Sequence, residues 1–271
     1  PWFPEFATAA SLARQETREA GRADPVRQYL AALNESDAHA LETTWPGEVV
    51  IYDPRAGEVR GRRPVREFIR HNMSWLAAVH ARPQIIASTV VDDRAVVELL
   101  AHLDHDGTEL IWPVAVVAES PDDQSVVFRT YCSPWPLDDH RHVRAPILPP
   151  GDLQPGDVVG HYHAGLAAGD VDAVVGDFAP DGYFRGPFGP QVHRGAAELR
   201  SFYAGCFSAG GGIGLELCAV TDDGVRCAVE YNCVRWGSHE LPPQAGIGVY
   251  ERRGDGLLAA ARTYDDIEAP V

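Results

Sequence analysis

Val26, Tyr29, Leu30 and Leu33 recur at i, i+3, i+4 and i+7, so the segment that opens at Asp24-Pro25 has one apolar and one polar face. Asp24 supplies a cap, and Pro25 sits in the first turn, where its missing N–H costs nothing. The pattern predicts a helix with Tyr29 on its core side. A second short helix is predicted at 38–44. Val49, Val50, Ile51 and Tyr52 then form a β-branched strand that Asp53-Pro54 ends, because proline cannot donate to a paired ladder. Beyond a turn at Gly57 and Gly61, Val65, Phe68, Ile69 and Trp75 continue a helical face. Apolar runs at 85–91, 95–103 and 110–118, and a last one at 126–131 after Pro121-Asp122-Asp123, read as meandering strands. Residues 5–21, with Phe6, Leu12 and Ala13 among charges, predict a short amphipathic arm lying on one of the domains.

The pattern then repeats. Val26, Tyr29, Leu33, Asp37, Trp45 and Pro54 are followed 133 residues later by Val159, Tyr162, Leu166, Asp170, Phe178 and Pro187. The spacing is 134 for Gly61/Gly195 and Phe68/Phe202, and 132 for Glu98/Glu230 and Glu119/Glu251. It returns to 133 where Arg129-Thr130-Tyr131 meets Arg262-Thr263-Tyr264. Solenoid and propeller units run to roughly 20–50 residues, so a period this long marks two domains with separate cores. The predicted organisation is a helical arm at 1–23, a first domain at 24–137, a proline-rich linker at 138–156 and a second domain at 157–271. Helices segregated onto one face of a curved, mostly antiparallel sheet make each domain an α+β cone around an apolar pocket. The two copies are expected to pair as a pseudo-dimer within the chain, with a homodimer as the other arrangement.

Composition narrows the function. Hydrophobic residues at 45% and charged residues at 23% describe a globular protein, and a net charge of −16 with no basic cluster argues against nucleic acid and anionic membrane. No stretch approaches 18 consecutive apolar residues, and the charged-then-apolar order of a signal peptide is missing, so the expected location is cytoplasmic. Five cysteines without CxxC spacing read as buried thiols. Lysine is absent, which removes Schiff-base chemistry. His140/His142 lie in the linker, and His161/His163 diverge on a helix, so no metal is expected. Gly210–Gly212 lack a phosphate-loop lysine, and no cofactor is expected.

What one copy has and the other lacks is the place to look for specialisation. The outstanding singleton is Asp53, whose counterpart is Gly186. A carboxylate on the wall of an apolar cavity is a usable base, while Asp-Pro is also an ordinary way to end a strand. Tyr29 and Tyr162 occur in both copies and read equally as core tyrosines or hydrogen-bond donors. His71, His102 and Trp112 are candidate lining residues of the first pocket; Tyr162, His163, Tyr183, Arg185, Glu230 and Asn232 are those of the second. Glu230 and Asn232 share one face of a strand. Glu98 and Glu230 also read as scaffold ion pairs with Arg129 and Arg262.

These residues carry a resemblance. The run from Val26 through Tyr29, Leu33 and Asn34, then Asp37, Asp53-Pro54, Gly61 and Arg66-Glu67-Phe68 resembles the ketosteroid isomerase branch of the nuclear transport factor 2-like superfamily. In the second copy Ala168-Gly169-Asp170, Phe178-Ala179, Gly186-Pro187 and Arg262–Asp265 resemble the SnoaL-like polyketide cyclases. The first resemblance implies Asp53 as the residue that moves a proton and Tyr29 as the donor to a developing enolate. An acid on a late strand would complete the oxyanion hole, but residues 113–118 offer none. The tandem layout is also similar to polyether epoxide hydrolases, whose glutamate after the third helix has no counterpart among Ala78–Arg82. The resemblance implies a cofactor-independent isomerase or cyclase that acts on a small apolar carbonyl compound in natural-product metabolism. A non-catalytic binder of a hydrophobic molecule and an epoxide hydrolase/cyclase stand as alternatives.

Overall fold

A computed structural model describes residues 4–35, 38–133, 137 and 143–264. Asp37, His140, His142, Asp265 and the side chain of Phe6 lie outside the described residues. The first half runs α1 (Pro4–Ala23), α2 (Pro25–Glu35), α3 (His39–Thr44), β1 (Val49–Asp53), β2 (Gly57–Arg60), α4 (Arg62–Ala78), β3 (Arg82–Val91), β4 (Arg94–His105), β5 (Thr108–Asp122) and β6 (Ser125–Tyr131). The second repeats it as α5 (Val158–Ala168), α6 (Val171–Gly176), β7 (Phe178–Arg185), β8 (Val192–Arg194), α7 (Gly195–Cys206), β9 (Ile213–Asp222), β10 (Arg226–Trp236), β11 (His239–Arg252) and β12 (Leu258–Thr263). The six-stranded sheets are ordered β2-β1-β6-β5-β4-β3 and β8-β7-β12-β11-β10-β9. Each is antiparallel except where β1 runs parallel to β6, and β7 to β12. The architecture is therefore α+β, twice in tandem.

Periodicity alone does not show β2. The turn after Asp53 is tight enough for Asp53 to pair with Gly57, and the chain returns along β1 as an edge strand. Gly61 and Gly195 open α4 and α7 with φ of 89° and 73°. A side chain is strained in that left-handed conformation, which accounts for glycine at both positions.

Alternation along β4 and β5 sends Val97, Leu99, Ala101, Val114 and Val116 toward the helices, where they form the first core with Tyr29, Phe68 and Phe128. The intervening Val96, Ala115 and Val117 join Tyr131 and pack on Ala228, Ala245, Ile247, Val249 and Tyr264 of the second half. The two halves thus meet sheet against sheet.

Charges buried in that contact pair across it. Arg262 donates from Nε (2.6 Å) and Nη2 (2.9 Å) to Glu98, which also accepts the Tyr264 hydroxyl. Arg129 donates in the same way to Glu230 (2.6 and 2.9 Å), joined by Tyr131 (2.7 Å) and Arg94 (2.5 Å). The expected glutamate–arginine pairs exist, and each joins one half to the other.

The linker's described part, 143–156, follows the second half. Ala245 N donates to Arg144 O (2.9 Å), and Gly151 N to Leu217 O (2.7 Å). Helix α1 lies on the first half through polar contacts to α3, with Arg18 Nε on Thr43 O (2.9 Å) and Thr44 Oγ1 on Thr17 O (3.2 Å). Leu12 stays 54% exposed, so it does not itself hold the arm down. Among the described residues the five cysteines form no disulfide. Among the described residues no helix is long and apolar enough to cross a membrane.

Candidate functional site

In the first half, helix α2, α4 and the concave face of the sheet enclose a hollow of about 110 Å³ walled by Tyr29, Leu33, Trp75, Leu99, Trp112 and Val116. Asp53 stands at its rim, where β1 ends. It also lines an outer groove of about 940 Å³ between the β1–β2 hairpin and α4. The Asp53 Oδ1 accepts the N–H groups of Arg55 and Ala56, both at 2.9 Å. The side chain therefore caps its own turn through one oxygen, and Oδ2 is left without a hydrogen bond among the described residues. One carboxylate thus caps the turn and lines both spaces.

Tyr29 is 1% exposed and stacked on Phe128, with ring centroids 4.4 Å apart. Burial pushes its phenol far above the usual range, the charge of Asp53 pushes it further, and a hydrogen bond with the Thr130 side chain opposes both. The group stays protonated at any physiological pH and can only present a neutral O–H. On β5 the residues facing the hollow are Trp112, Val114 and Val116, so among the described residues no second acid stands beside Tyr29.

Trp112 lines this hollow as expected, its Nε1 donating to Ser133 O (2.7 Å). His71 lines only the outer groove. His102 does not reach the hollow: the pleat that turns Ala101 inward turns His102 out, where its ring nitrogens meet Glu109 (3.2 Å) and Gln84 (3.3 Å). Arg55, Phe68, Asn72 and Trp75 were not anticipated. They border both spaces with Asp53, and the i, i+4 and i+7 spacing of Phe68, Asn72 and Trp75 along α4 was the available signal.

The second half holds a larger, aromatic hollow of about 290 Å³, with Tyr162, Phe184, Phe202, Tyr203, Tyr231 and Tyr250 in its wall. Tyr162 and Tyr203 join their hydroxyls at 2.9 Å. Among the described residues no carboxylate or arginine lines it, and Gly186 occupies the rim position of Asp53. His193 sits at the wall stacked on Phe202, 4.4 Å between centroids. Burial pushes the Cys206 thiol up to about 11, so it is not a nucleophile at neutral pH.

Of the six residues expected around this second hollow, only Tyr162 lines it. Tyr183 and Arg185 stand on the opposite face of β7 from Phe184: Tyr183 OH accepts from Arg262 (3.0 Å), and Arg185 lies over the Tyr264 ring at 4.8 Å. Glu230 and Asn232 do share a face, but it is the one turned to the other half and the linker. There Asn232 Nδ2 donates to Leu148 O (3.1 Å), while Tyr231 between them faces the hollow. His163 packs edge-on against Tyr250, 5.1 Å away, with both ring nitrogens buried and unpartnered. Burial pulls its pKa down to about 4, so it is neutral. Among the described residues no group of three His, Cys, Asp or Glu side chains is placed to hold a metal ion.

The SnoaL-like domain model matches this chain twice, over residues 26–144 and 159–261, and the chain belongs to that family. Solved structures resemble it one domain at a time. A cystatin-fold protein from Novosphingobium aromaticivorans is 20% identical over 39% of this chain and 93% of its own, with a TM-score of 0.35. A protein of ketosteroid isomerase-like fold from Catenulispora acidiphila, in complex with trimethylamine, is 16% identical over 42% and 88%, with a TM-score of 0.35. The epoxide hydrolase/cyclase-like enzyme SalBIII, of pyran ring formation in the polyether salinomycin, is 21% identical over 40% and 86%, again with a TM-score of 0.35.

Proposed function

We propose that this SnoaL-like protein is a cofactor-independent isomerase or cyclase whose front half moves a proton on a small apolar carbonyl compound. Asp53 is the base. Its free oxygen takes the proton from the carbon next to the carbonyl, Tyr29 donates its O–H to the oxygen that gains charge, and Asp53 returns the proton to another carbon. The supporting observation is that a carboxylate with one oxygen tied to its turn, and the other without a hydrogen bond among the described residues, shares an apolar wall with a phenol kept protonated by its surroundings. A single donor stabilises an enolate less than two do. Substrates whose C–H is already activated, such as 1,3-dicarbonyl or β,γ-unsaturated carbonyl compounds, therefore suit the site.

The rear half supports a different reading, binding without turnover. Among the described residues its hollow is lined mostly by rings and aliphatic side chains and holds no acid. A flat apolar molecule fits such a wall, through contact area and edge-to-face geometry.

A panel of β,γ-unsaturated and 1,3-dicarbonyl compounds, followed by absorbance of the conjugated product, tests the assignment. Asp53→Asn is expected to lower kcat/KM by about 10²–10⁴-fold with ligand Kd unchanged. Full turnover in Asp53→Asn sinks the proposal.

A further inference from the structure

In each half the helices cover one face of the sheet and the other face meets its counterpart, so the sheet edges are what remains for contact with another molecule. The edge strands are β2, β3, β8 and β9. An edge presents unpaired N–H and C=O groups, and proteins blunt it by keeping it short, charged or covered. β2 and β8 are four and three residues long and carry Glu58 with Arg60, and Arg194. β9 is ten residues long, carries Glu216 and Asp222, and has the linker against it, with Gly151 N donating to Leu217 O (2.7 Å). β3 is also ten residues long, but no charged residue stands between Pro83 and Val91. Among the described residues no strand or loop is hydrogen-bonded along its outer edge.

The side chains of β3 point the same way. Ile85, Ile86 and Val90 are 51%, 37% and 55% exposed, three β-branched apolar groups on one strand in a chain of net charge −16. Two features do blunt this edge: Pro83 has no N–H, and Ile86 is the extra residue of a bulge against β4. Neither adds a charge. The charges stand at the two ends and have opposite signs. Arg82 opens the strand, and Asp92 and Asp93 follow it, all three exposed.

We infer that two copies of this chain associate through β3, antiparallel about a two-fold axis near Ala87. Such an axis makes the contact self-complementary. It sets Arg82 of each copy beside Asp92 and Asp93 of the other, and gathers Ile85, Ile86 and Val90 of both into one contact. A parallel arrangement sets Arg82 against Arg82 instead. Arg82 already donates to Glu109 (2.9 Å), and the five donors of a guanidinium leave room for a second carboxylate. Backbone bonds along the added strand supply affinity, and the end charges fix direction and register. The contact is one strand wide, so the pair is reversible, with a dissociation constant on the order of 1–100 µM.

Sedimentation velocity of the 271-residue chain over a dilution series tests the inference. The mass is expected to move from one chain to two as concentration rises through that range. Ile86→Lys/Val90→Lys, at two exposed positions, is expected to weaken association by more than about tenfold, with the urea midpoint of the single chain unchanged. Arg82→Glu is expected to weaken it by about three- to tenfold, the size of two exposed ion pairs, and Arg82→Glu/Asp93→Arg to restore it. The exchange is made at Asp93 because Asp92 has a left-handed backbone, φ 49°. A chain that stays single at every concentration, or a pair that the two lysines leave intact, overturns the inference. A charge exchange that restores nothing overturns the antiparallel two-fold arrangement.

Discussion

Front and rear halves place a first-helix tyrosine and a last-strand threonine on the same wall, Tyr29 with Thr130 and Tyr162 with Thr263, and then surround them differently. In front, Trp75 and Trp112 meet edge to face at 6.0 Å and shrink the hollow to about 110 Å³, with Asp53 at the rim. In the rear, where Trp236 joins the tyrosine and phenylalanine rings of the wall, the hollow keeps about 290 Å³ and Gly186 is at the rim. The rear phenol is engaged by Tyr203, whereas the front position matching Tyr203 is Ile69, which offers no hydroxyl. The scaffold brings a phenol and a strand end together in both halves. Whether that meeting suits proton transfer depends on two side chains beside it.

The contact between the halves is the strongest point at which to break this comparison, because its two glutamates are not equivalent. Among the described residues Glu230 is held by Arg129, Arg94 and Tyr131, and Glu98 by Arg262 and Tyr264. Removing one partner of a buried pair costs about 3–5 kcal/mol. Glu230→Ala is expected near the top of that range and Glu98→Ala near the bottom, read as urea midpoints. Burial works to raise the Glu230 carboxyl, yet Arg129, Arg94 and Tyr131 hold it below the ordinary carboxylate range. Its contribution is therefore present above the unfolded carboxylate pKa and is lost as pH falls below it. Equal costs for the two replacements would mean that Arg94 adds nothing across the contact.

Acid stability separates the halves next. At the helix position where the front half has Leu30, the rear half has His163, neutral because burial pulls its pKa to about 4. Between the ordinary histidine value near 6.5 and about 4, the unfolded chain binds a proton that the folded chain does not, so stability falls as pH falls through that window and the loss levels off below it. Part of the residue reaches the surface although its nitrogens do not, which limits the effect to about 2–3 kcal/mol. His163→Leu is expected to flatten the pH dependence of the rear half's unfolding between pH 6.5 and 4, followed by denaturant titration at several pH values. An unchanged slope would show that the imidazole finds water.

The internal repeat explains why so much of this was legible in the chain. Two readings of one pattern, 133 residues apart, gave the element order and the α+β class, and set Asp53 apart from its counterpart Gly186. Alternation on β10 correctly put Glu230 and Asn232 on one face. It could not say which face, because that depends on Arg129 and Leu148, residues remote along the chain that satisfy the polar side. His102, Tyr183 and Arg185 misled for the same reason. Local periodicity does not reveal that a sheet has a second buried face. Cavity size was equally out of reach, since the front hollow is narrowed by Trp75 and Trp112, which come from α4 and β5.

The smallest expected effect is the sharpest test of what the rear half lacks. An ideal Cβ at Gly186 meets only the Phe184 ring edge at 3.8 Å, and the backbone there is not left-handed, so Gly186→Asp fits without strain. Its cost is expected to stay within about 0.5 kcal/mol, the usual range for a substitution away from core packing. The new carboxylate would stand at the rim, but the Tyr162 hydroxyl beyond it is already shared with Tyr203. In an Asp53→Asn background, Gly186→Asp is therefore expected to raise turnover less than tenfold, measured in the same absorbance assay. A gain of 10²-fold or more would show that the acid alone separates the halves and that pairing the phenol with Thr130, in place of a second tyrosine, adds little.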